Sequence, residues 1–408
     1  MRYRIGGKEV PTDPGAALAA LRAAYAKKQR VECLCTDPAP LCYLAKIGET
    51  IIVKRMPNTG ARHDPECEHY EAPPELSGRG EVEGTAIKEN EEEGTTELRL
   101  GFPLSKVAGR APPAPSGTEK TEGDVVVEKG KLSLQATLHY LWEQAGFNRW
   151  TPAFAGKRRW ATIHKYLLEA AAGKHAKRRH LSDVLFVPEP YVVDKADDIA
   201  AARRRRFAEL RPEKNSLFLV VAPLKDLAPS QFGMKLVLKH MPGKQEPLYL
   251  TKAAGETLQK RYAAMMQLAQ ALEGSQIIVI ATVQQAESGV LNADTVAMML
   301  VDKHFLPVDS FEDADLTNAL VADERRFVKG LRYNLSRSTP MATLQLTDVA
   351  GSLAMYLIPR DADELFRPKL ESLMAESSIP SWTWESTEPM PAIPPPTSTE
   401  RAYPRPSA

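Results

Sequence analysis

The chain has 408 residues, with 53 Lys and Arg against 52 Asp and Glu, a formal net charge of +1. That balance removes any argument for nucleic acid from overall basicity. Hydrophobic residues make up 43%, the proportion of a soluble globular protein, and the length suits two to four domains. No apolar run approaches the roughly 18–20 residues that cross a bilayer. The opening MRYRIGGKEV has no apolar signal core. A cytoplasmic protein with no membrane partner is expected.

In chain order, residues 14–28 read as an Ala/Leu-rich helix. Residues 41–47 and 50–55 read as a hairpin turning at Gly48-Glu49. A polar loop from His63 to His69 follows and ends at Pro73-Pro74. Residues 80–102 alternate as an acidic hairpin, and the Pro-rich residues 109–125 read as a linker. Two amphipathic helices come next. Leu134, Leu138, Leu141, Trp142 and Ala145 make the stripe of the first; Trp160, Ile163, His164, Leu167, Leu168 and Ala171 make that of the second. Gly146 and Gly173 are their stops. Residues 196–210 form a third helix, carrying Arg203-Arg-Arg-Arg206.

Beyond Ser216 the pattern becomes α/β. Strands are expected at 216–222, 234–239, 276–281, 341–347 and 353–358, and helices at 256–272, 295–301 and 314–325. The expected class is α+β and multidomain. Its parts are a zinc-stapled β-rich N-terminal module (1–108), the linker, a basic helical module (126–212), an α/β C-terminal domain (213–362) and a disordered Pro-rich tail (363–408).

All four cysteines lie between Cys33 and Cys67, too few for a disulfide scaffold and too clustered for chance. Cys33-Leu-Cys35 stands on one arm and His63-x3-Cys67-Glu-His69 on the other, with the 41–55 hairpin between them. Zinc takes thiolate and imidazole at tetrahedral corners, so Cys33, Cys35 and Cys67 are expected ligands of a structural zinc ion. Either His63 or His69 is the fourth, and Cys42 is a spare donor. The pairs Cys33-x-Cys35 and Cys67-x-His69 resemble the SWIM zinc finger, here with a longer spacer.

Eight basic residues and one acid lie between Trp150 and His180. Of these, Lys157, Arg158, Arg159, Lys177, Arg178 and Arg179 are expected to meet DNA phosphates, raising affinity without reading sequence. No phosphate loop, HExxH, GxSxG or dinucleotide fingerprint is present. A restriction-type nuclease carries Glu-x-Lys on the strand after its Asp. The strand after Asp348, Leu353-Ala-Met-Tyr-Leu-Ile358, has neither. A hydrolase using Asp323, Glu324 and Asp348 is the alternative to a non-enzymatic accessory protein, and a scaffold that offers the Pro-rich tail to a partner is the third reading.

Five phrases carry a family resemblance: Val31-Glu-Cys-Leu-Cys35, Lys54-Arg-Met-Pro-Asn-Thr-Gly60, Leu76-Ser-Gly78, the run from Leu138 to Trp150, and Phe327-Val-Lys-Gly-Leu-Arg-Tyr333. Together they resemble the bacterial domain-of-unknown-function family number 1173 over roughly residues 1–360. The resemblance implies a protein of conjugative plasmids and integrative elements, with DNA and the element's own proteins as partners. It implies no catalytic residue.

Overall fold

The structure is a computed structural model and describes residues 1–47, 50–90, 95–106, 128–231, 233–243 and 246–397. The expected linker and residues 398–408 of the expected tail lie outside the described residues. Eight α-helices stand among the described ones: α1 Pro14–Ala26, α2 Leu134–Gln144, α3 Trp160–Ala171, α4 Ala196–Leu210, α5 Lys252–Arg261, α6 Ala263–Ala271, α7 Phe311–Ala322 and α8 Phe366–Glu376. They combine with four β-sheets into a mixed α/β protein.

Local chemistry starts and stops the helices. Asp13 Oδ1 accepts the Ala16 amide at 2.8 Å ahead of Pro14, which suits the first helical position of α1. Ser133 caps α2 through the Ala136 amide at 2.9 Å. Gly146 and Gly173 end the first two amphipathic helices at φ 73° and 71°, a conformation that costs glycine little.

The N-terminal sheet runs Lys8–Glu9, Tyr3–Ile5, Val31–Cys33, Leu41–Ile47, Thr50–Arg55, all antiparallel. A second sheet joins the acidic hairpin, Ile87–Asn90 and Thr95–Leu98, to Lys174–Ala176 beyond α3. A third joins Arg149–Trp150, just after α2, to Phe327–Lys329, Leu344–Leu346, Leu353–Ile358 and Ser381–Glu385. Strands distant in sequence thus share sheets.

The fourth sheet closes on itself. Its strands are Phe218–Ser230, Gly233–Leu238, Leu248–Thr251, Gln276–Gln285 and Leu291–Val301, with Leu185–Phe186 added at one edge. Phe218, Val220, Ala222, Leu236, Leu238, Leu248, Leu250, Val279, Ala281 and Met298 fill its interior. The opposite faces of its first, fourth and fifth strands pack on α2 and α3 through Leu219, Val221, Ile278, Ile280, Ala297 and Met299.

That double burial explains one departure from expectation. Residues 295–301, expected as a helix, are the second half of a strand paired antiparallel with Gln276–Gln285. Val296 and Met298 face the barrel interior while Ala297, Met299 and Val301 face the helices, so the run is apolar on both sides and shows no period of two. Residues 256–272, expected as one helix, break at Tyr262 between α5 and α6. Its hydroxyl accepts the Met298 amide at 3.2 Å inside the barrel.

The described part of the expected tail is ordered as well. α8 buries Phe366 and Leu370, and Ser381–Glu385 pairs parallel with Leu353–Ile358. Trp384 packs with Leu306 and Phe327, and the Pro-rich stretch beyond it seats Met390 and Ile393 on the same core. These five apolar anchors hold a segment whose proline content alone suggests an unstructured chain.

Candidate metal centre

The N-terminal sheet has a small core. Val31, Cys33, Cys42, Cys67, Tyr70 and Val328 are buried in it, with Tyr3, Ile5, Leu44 and Val53 packed around them. A core of that size stabilises a module weakly unless something else staples it.

Cys33 ends the strand Val31–Cys33, and Cys35 lies in the turn behind it. His63 directly follows a single 3-10 turn, Gly60–Arg62. Cys67 closes a turn in which its amide donates to the Asp64 carbonyl at 2.7 Å, while Asp64 Oδ1 accepts the Glu66 amide at 2.9 Å. These two arms bring one donor atom each from Cys33, Cys35, His63 and Cys67 within 4.8 Å of one another. Cys33 Sγ stands 3.6 Å from Cys67 Sγ, and His63 Nδ1 stands 3.4 Å from Cys35 Sγ and 3.7 Å from Cys67 Sγ. The edges of a tetrahedral zinc site, from Zn–S of about 2.3 Å and Zn–N of about 2.05 Å, are ~3.8 Å for S···S and ~3.6 Å for S···N. Three of the six donor pairs therefore lie close to the separations one tetrahedral ion imposes, and the group could hold a metal ion.

His69 lies outside the group. Its Nε2 pairs with the Tyr3 hydroxyl at 2.9 Å, and its backbone amide donates to Cys67 Sγ at 3.4 Å, a contact that supports a sulfur ligand from the second rank. Of the two candidate histidines, His63 is the one gathered with the thiols. Cys42 is buried beside Cys33 but does not belong to the four-donor group.

In the absence of a cation the four donors are neutral. The hydrogen bond with Cys42, followed by burial, pushes the Cys33 thiol up to about 12. Contact with Cys33 and burial raise Cys67, and burial raises Cys35. Burial and the Arg55 charge hold His63 down at about 4, leaving its imidazole unprotonated and able to ligate. A bound divalent cation inverts this logic for the thiols, which bind it as thiolates.

Arg149, which sequence reasoning did not single out, clamps the ligand loop to the body. Its guanidinium donates to the carbonyls of Glu68 at 2.9 Å, Pro65 at 3.3 Å and Tyr70 at 3.4 Å. Tyr70 bonds Gln345 of the third sheet through its hydroxyl at 3.0 Å, and Arg326 pairs with Glu66. Its only signal in the sequence was its place in the phrase that ends at Trp150.

The basic residues divide. Lys157, Arg159 and Arg178 are exposed, and Arg179 is half-buried. Lys177 is also exposed, although its Nζ donates to the Phe102 carbonyl at 2.7 Å. Arg158 is turned inward: it donates to the carbonyls of Phe147, His304, Gly146 and Arg149 and lies 5.0 Å over the Phe154 ring. Lys177 and Arg178 occupy the tip of the hairpin Lys174–Ala176/Arg179–His180 with φ 50° and 65°. Two-residue hairpins favour glycine or asparagine there. Among the four arginines of α4, Arg203 is buried against Glu246 and the His240 carbonyl, while Arg204 and Arg205 are exposed.

The acids of the hydrolase reading do not gather into a ligand group among the described residues. Asp348 accepts both Arg325 nitrogens, at 2.9 and 2.8 Å, and the Arg326 amide at 2.8 Å. Asp323 and Glu324 are exposed at the end of α7.

No helix among the described residues is long and apolar enough to cross a membrane. No curated protein and no solved structure matches the chain. One family model does, over residues 3–387, nearly the whole chain and every element described above. The chain belongs to the family described as "Protein of unknown function (DUF1173)".

Proposed function

We propose that this chain is a zinc-stapled, non-enzymatic accessory protein of a bacterial mobile element that contacts DNA. The observation that carries the proposal is the donor set: three thiols and one imidazole within 4.8 Å of one another, gathered from two arms of the chain. Sulfur-rich N/S sites of this kind select zinc over the harder oxygen-seeking cations. All four places are taken by protein donors, so the ion is structural: it offers no open position for a substrate and supplies cross-linking energy to a weak core.

The DNA-contacting surface of this reading is the exposed hairpin tip Lys177-Arg178 with Arg179, together with Lys157 and Arg159. Arg158 is spent inside the fold and drops out of it. The mobile-element setting and the element's own proteins as partners rest on the family resemblance. Elemental mass spectrometry of purified protein tests the zinc: one ion per chain is expected, lost in Cys33→Ser and Cys67→Ser with a lower melting temperature. Protein purified without chelator that holds no metal would overturn it. Mobility shifts with duplex DNA between 50 and 200 mM salt test the contact. A shift unaltered by Lys177→Glu/Arg178→Glu removes the hairpin from the surface.

A further inference from the structure

The connectivity of the closed sheet is specific. The first strand, Phe218–Ser230, is long and shifts register between Leu224 and Asp226. Its first half pairs with the fourth strand and its second half with the second. The third and fifth strands run parallel, Leu248 opposite Leu291, while every other pairing in the circuit is antiparallel. α5 and α6 are inserted between the third and fourth strands, and Leu258 and Tyr262 close the interior. This strand order, with a helical insert at that point, is the connectivity of the OB-fold. In that fold the second and third strands present the ligand face for oligonucleotides and oligosaccharides.

Fold alone assigns no ligand, so the face must carry the argument. Leu236, Leu238, Leu248 and Leu250 point into the barrel, and strand alternation turns Lys235, Val237 and Tyr249 outward. The first, fourth and fifth strands bury their outer faces under α2 and α3, whereas the second and third meet only their barrel neighbours and α5 in substantial packing. Register sets Lys235 beside Tyr249 on the open second and third strands, with Ala228 and Asn292 on the strands to either side. Lys225 is exposed at the bulge beside Asp226, and Lys239 continues the second strand, half-buried with its Nζ donating to Gln276 Oε1 at 3.3 Å. Two further acids nearby are neutralised, Asp294 by Lys106 at 3.2 Å and Glu287 by Lys214 at 2.9 Å. A cationic surface with an aromatic ring at its centre fits a phosphate backbone with an unstacked base.

We infer that the open face formed by Lys225, Lys235, Lys239 and Tyr249 binds single-stranded nucleic acid, with a base stacking on Tyr249 and the lysines along the backbone. The inference rests on the nucleic-acid reading above but assigns a different surface and a different strand state. Every base has a π-face and the lysines meet only phosphate, so binding is tolerant of sequence.

The test is fluorescence anisotropy of the full zinc-loaded chain with labelled dT20 and with a 20-base-pair duplex, at 50 and 200 mM salt. Binding to dT20 that weakens with salt is expected. Tyr249→Ala weakens it about 5- to 100-fold, the range that stacking on one aromatic covers, while Tyr249→Phe retains it and shows that the face still folds. Lys235→Glu lowers the salt slope by about 0.7 or more, the single-strand value for one phosphate contact. No dT20 binding at 50 mM salt overturns the inference, and so does binding indifferent to both Tyr249→Ala and Lys235→Glu. Capture of a neutral oligosaccharide in place of dT20 overturns it too. Lys177→Glu/Arg178→Glu separates the two surfaces. Duplex binding unaffected by that variant removes the hairpin reading while dT20 binding lost in Tyr249→Ala sustains this one.

Discussion

Arg79 offers the sharpest test of how the sheet that carries the Cys/His cluster is joined to the rest of the chain. Its side chain is 2% exposed and faces three carboxylates: Glu83 at 2.8 Å, Glu71 at 2.9 Å and Glu143 at 3.5 Å. Glu71, four residues beyond Cys67, also pairs with Arg55 of the N-terminal sheet, and Glu143 lies on α2 and accepts the Tyr333 hydroxyl. Removing one partner of a buried ion pair costs about 3–5 kcal/mol, because the remaining charge is stranded. Arg55 stays with Glu71 and Glu83 keeps some water, so Arg79→Met is expected near the lower end, about 3 kcal/mol. The origin of that loss shows in its pH dependence. Burial raises the Glu71 carboxyl, but Arg55 and Arg79 outweigh it and hold the group down at about 2 against an ordinary 4.5. A depressed carboxyl contributes stability above its unfolded value that is lost as pH falls through its folded one. For this shift the contribution is about 3 kcal/mol. Urea midpoints followed by tryptophan fluorescence should therefore separate wild type from Arg79→Met widely at pH 7 and much less at pH 3. An equal gap at both pH values would refute the electrostatic account and leave Arg79 as a packing residue.

Three further expectations are quick to check. His63→Ala should lose the metal by elemental analysis, while His69→Ala, which removes the bond to Tyr3 and the ring contacts with Tyr3 and His63 but no donor of the group, should retain it. Gly78→Ala should cost more than about 3 kcal/mol or abolish soluble yield, because its Cβ would sit 1.9 Å from the Arg332 carbonyl oxygen. Gly84→Ala has open space, pays only for φ +72°, and should cost about 1 kcal/mol in the same thermal melts. Lys174 is buried with only neutral hydrogen-bond partners, Thr96 Oγ1 at 2.9 Å and Gln144 Oε1 at 3.2 Å, and burial lowers it to about 7. The unfolded chain then holds the extra proton above pH 7, so stability should rise toward pH 9 by up to about 1.4 kcal/mol per unit. Lys174→Met should flatten that rise in urea titrations.

The clustering of the thiols with a histidine was legible because its chemistry is local. Thiol and imidazole side chains at close spacing on two arms have few other uses, and the 41–55 hairpin that folds the arms together shows the strand alternation plainly. The choice between His63 and His69 was not legible. Both flank Cys67 at usable spacings, and it was decided by the Tyr3 hydroxyl, which reaches His69 from a strand 66 residues away. The basic residues misled for a related reason. Arg158 reads as one more surface cation, but its guanidinium satisfies carbonyls left open where α2 ends at Gly146 and where the His304 turn meets it. A charge run records which side chains carry charge, not which of them face solvent.

The family phrases hold close backbone approaches and buried polar contacts. Gly60 admits Glu71, because a Cβ there would lie 2.5 Å from the Glu71 Cβ, and Gly78 admits the backbone of Arg332. Gly330 lies under the Ala342 carbonyl, where a Cβ would come to 2.0 Å. Lys329 pairs with buried Asp313, and His139 Nδ1 accepts the Tyr333 amide at 2.9 Å. Glu143 and Tyr333, from two of these phrases, meet Glu71 and Arg79 in one buried seam. Each of these residues is specified by a close approach or by a desolvated charge that a neighbouring phrase completes, and single substitutions there strand a partner instead of trimming a surface. The exposed face of the barrel shows the opposite condition. Half-buried Lys235 and Tyr249 carry no ion pair or side-chain hydrogen bond among the described residues, which leaves the ammonium and the ring available to the ligand proposed above.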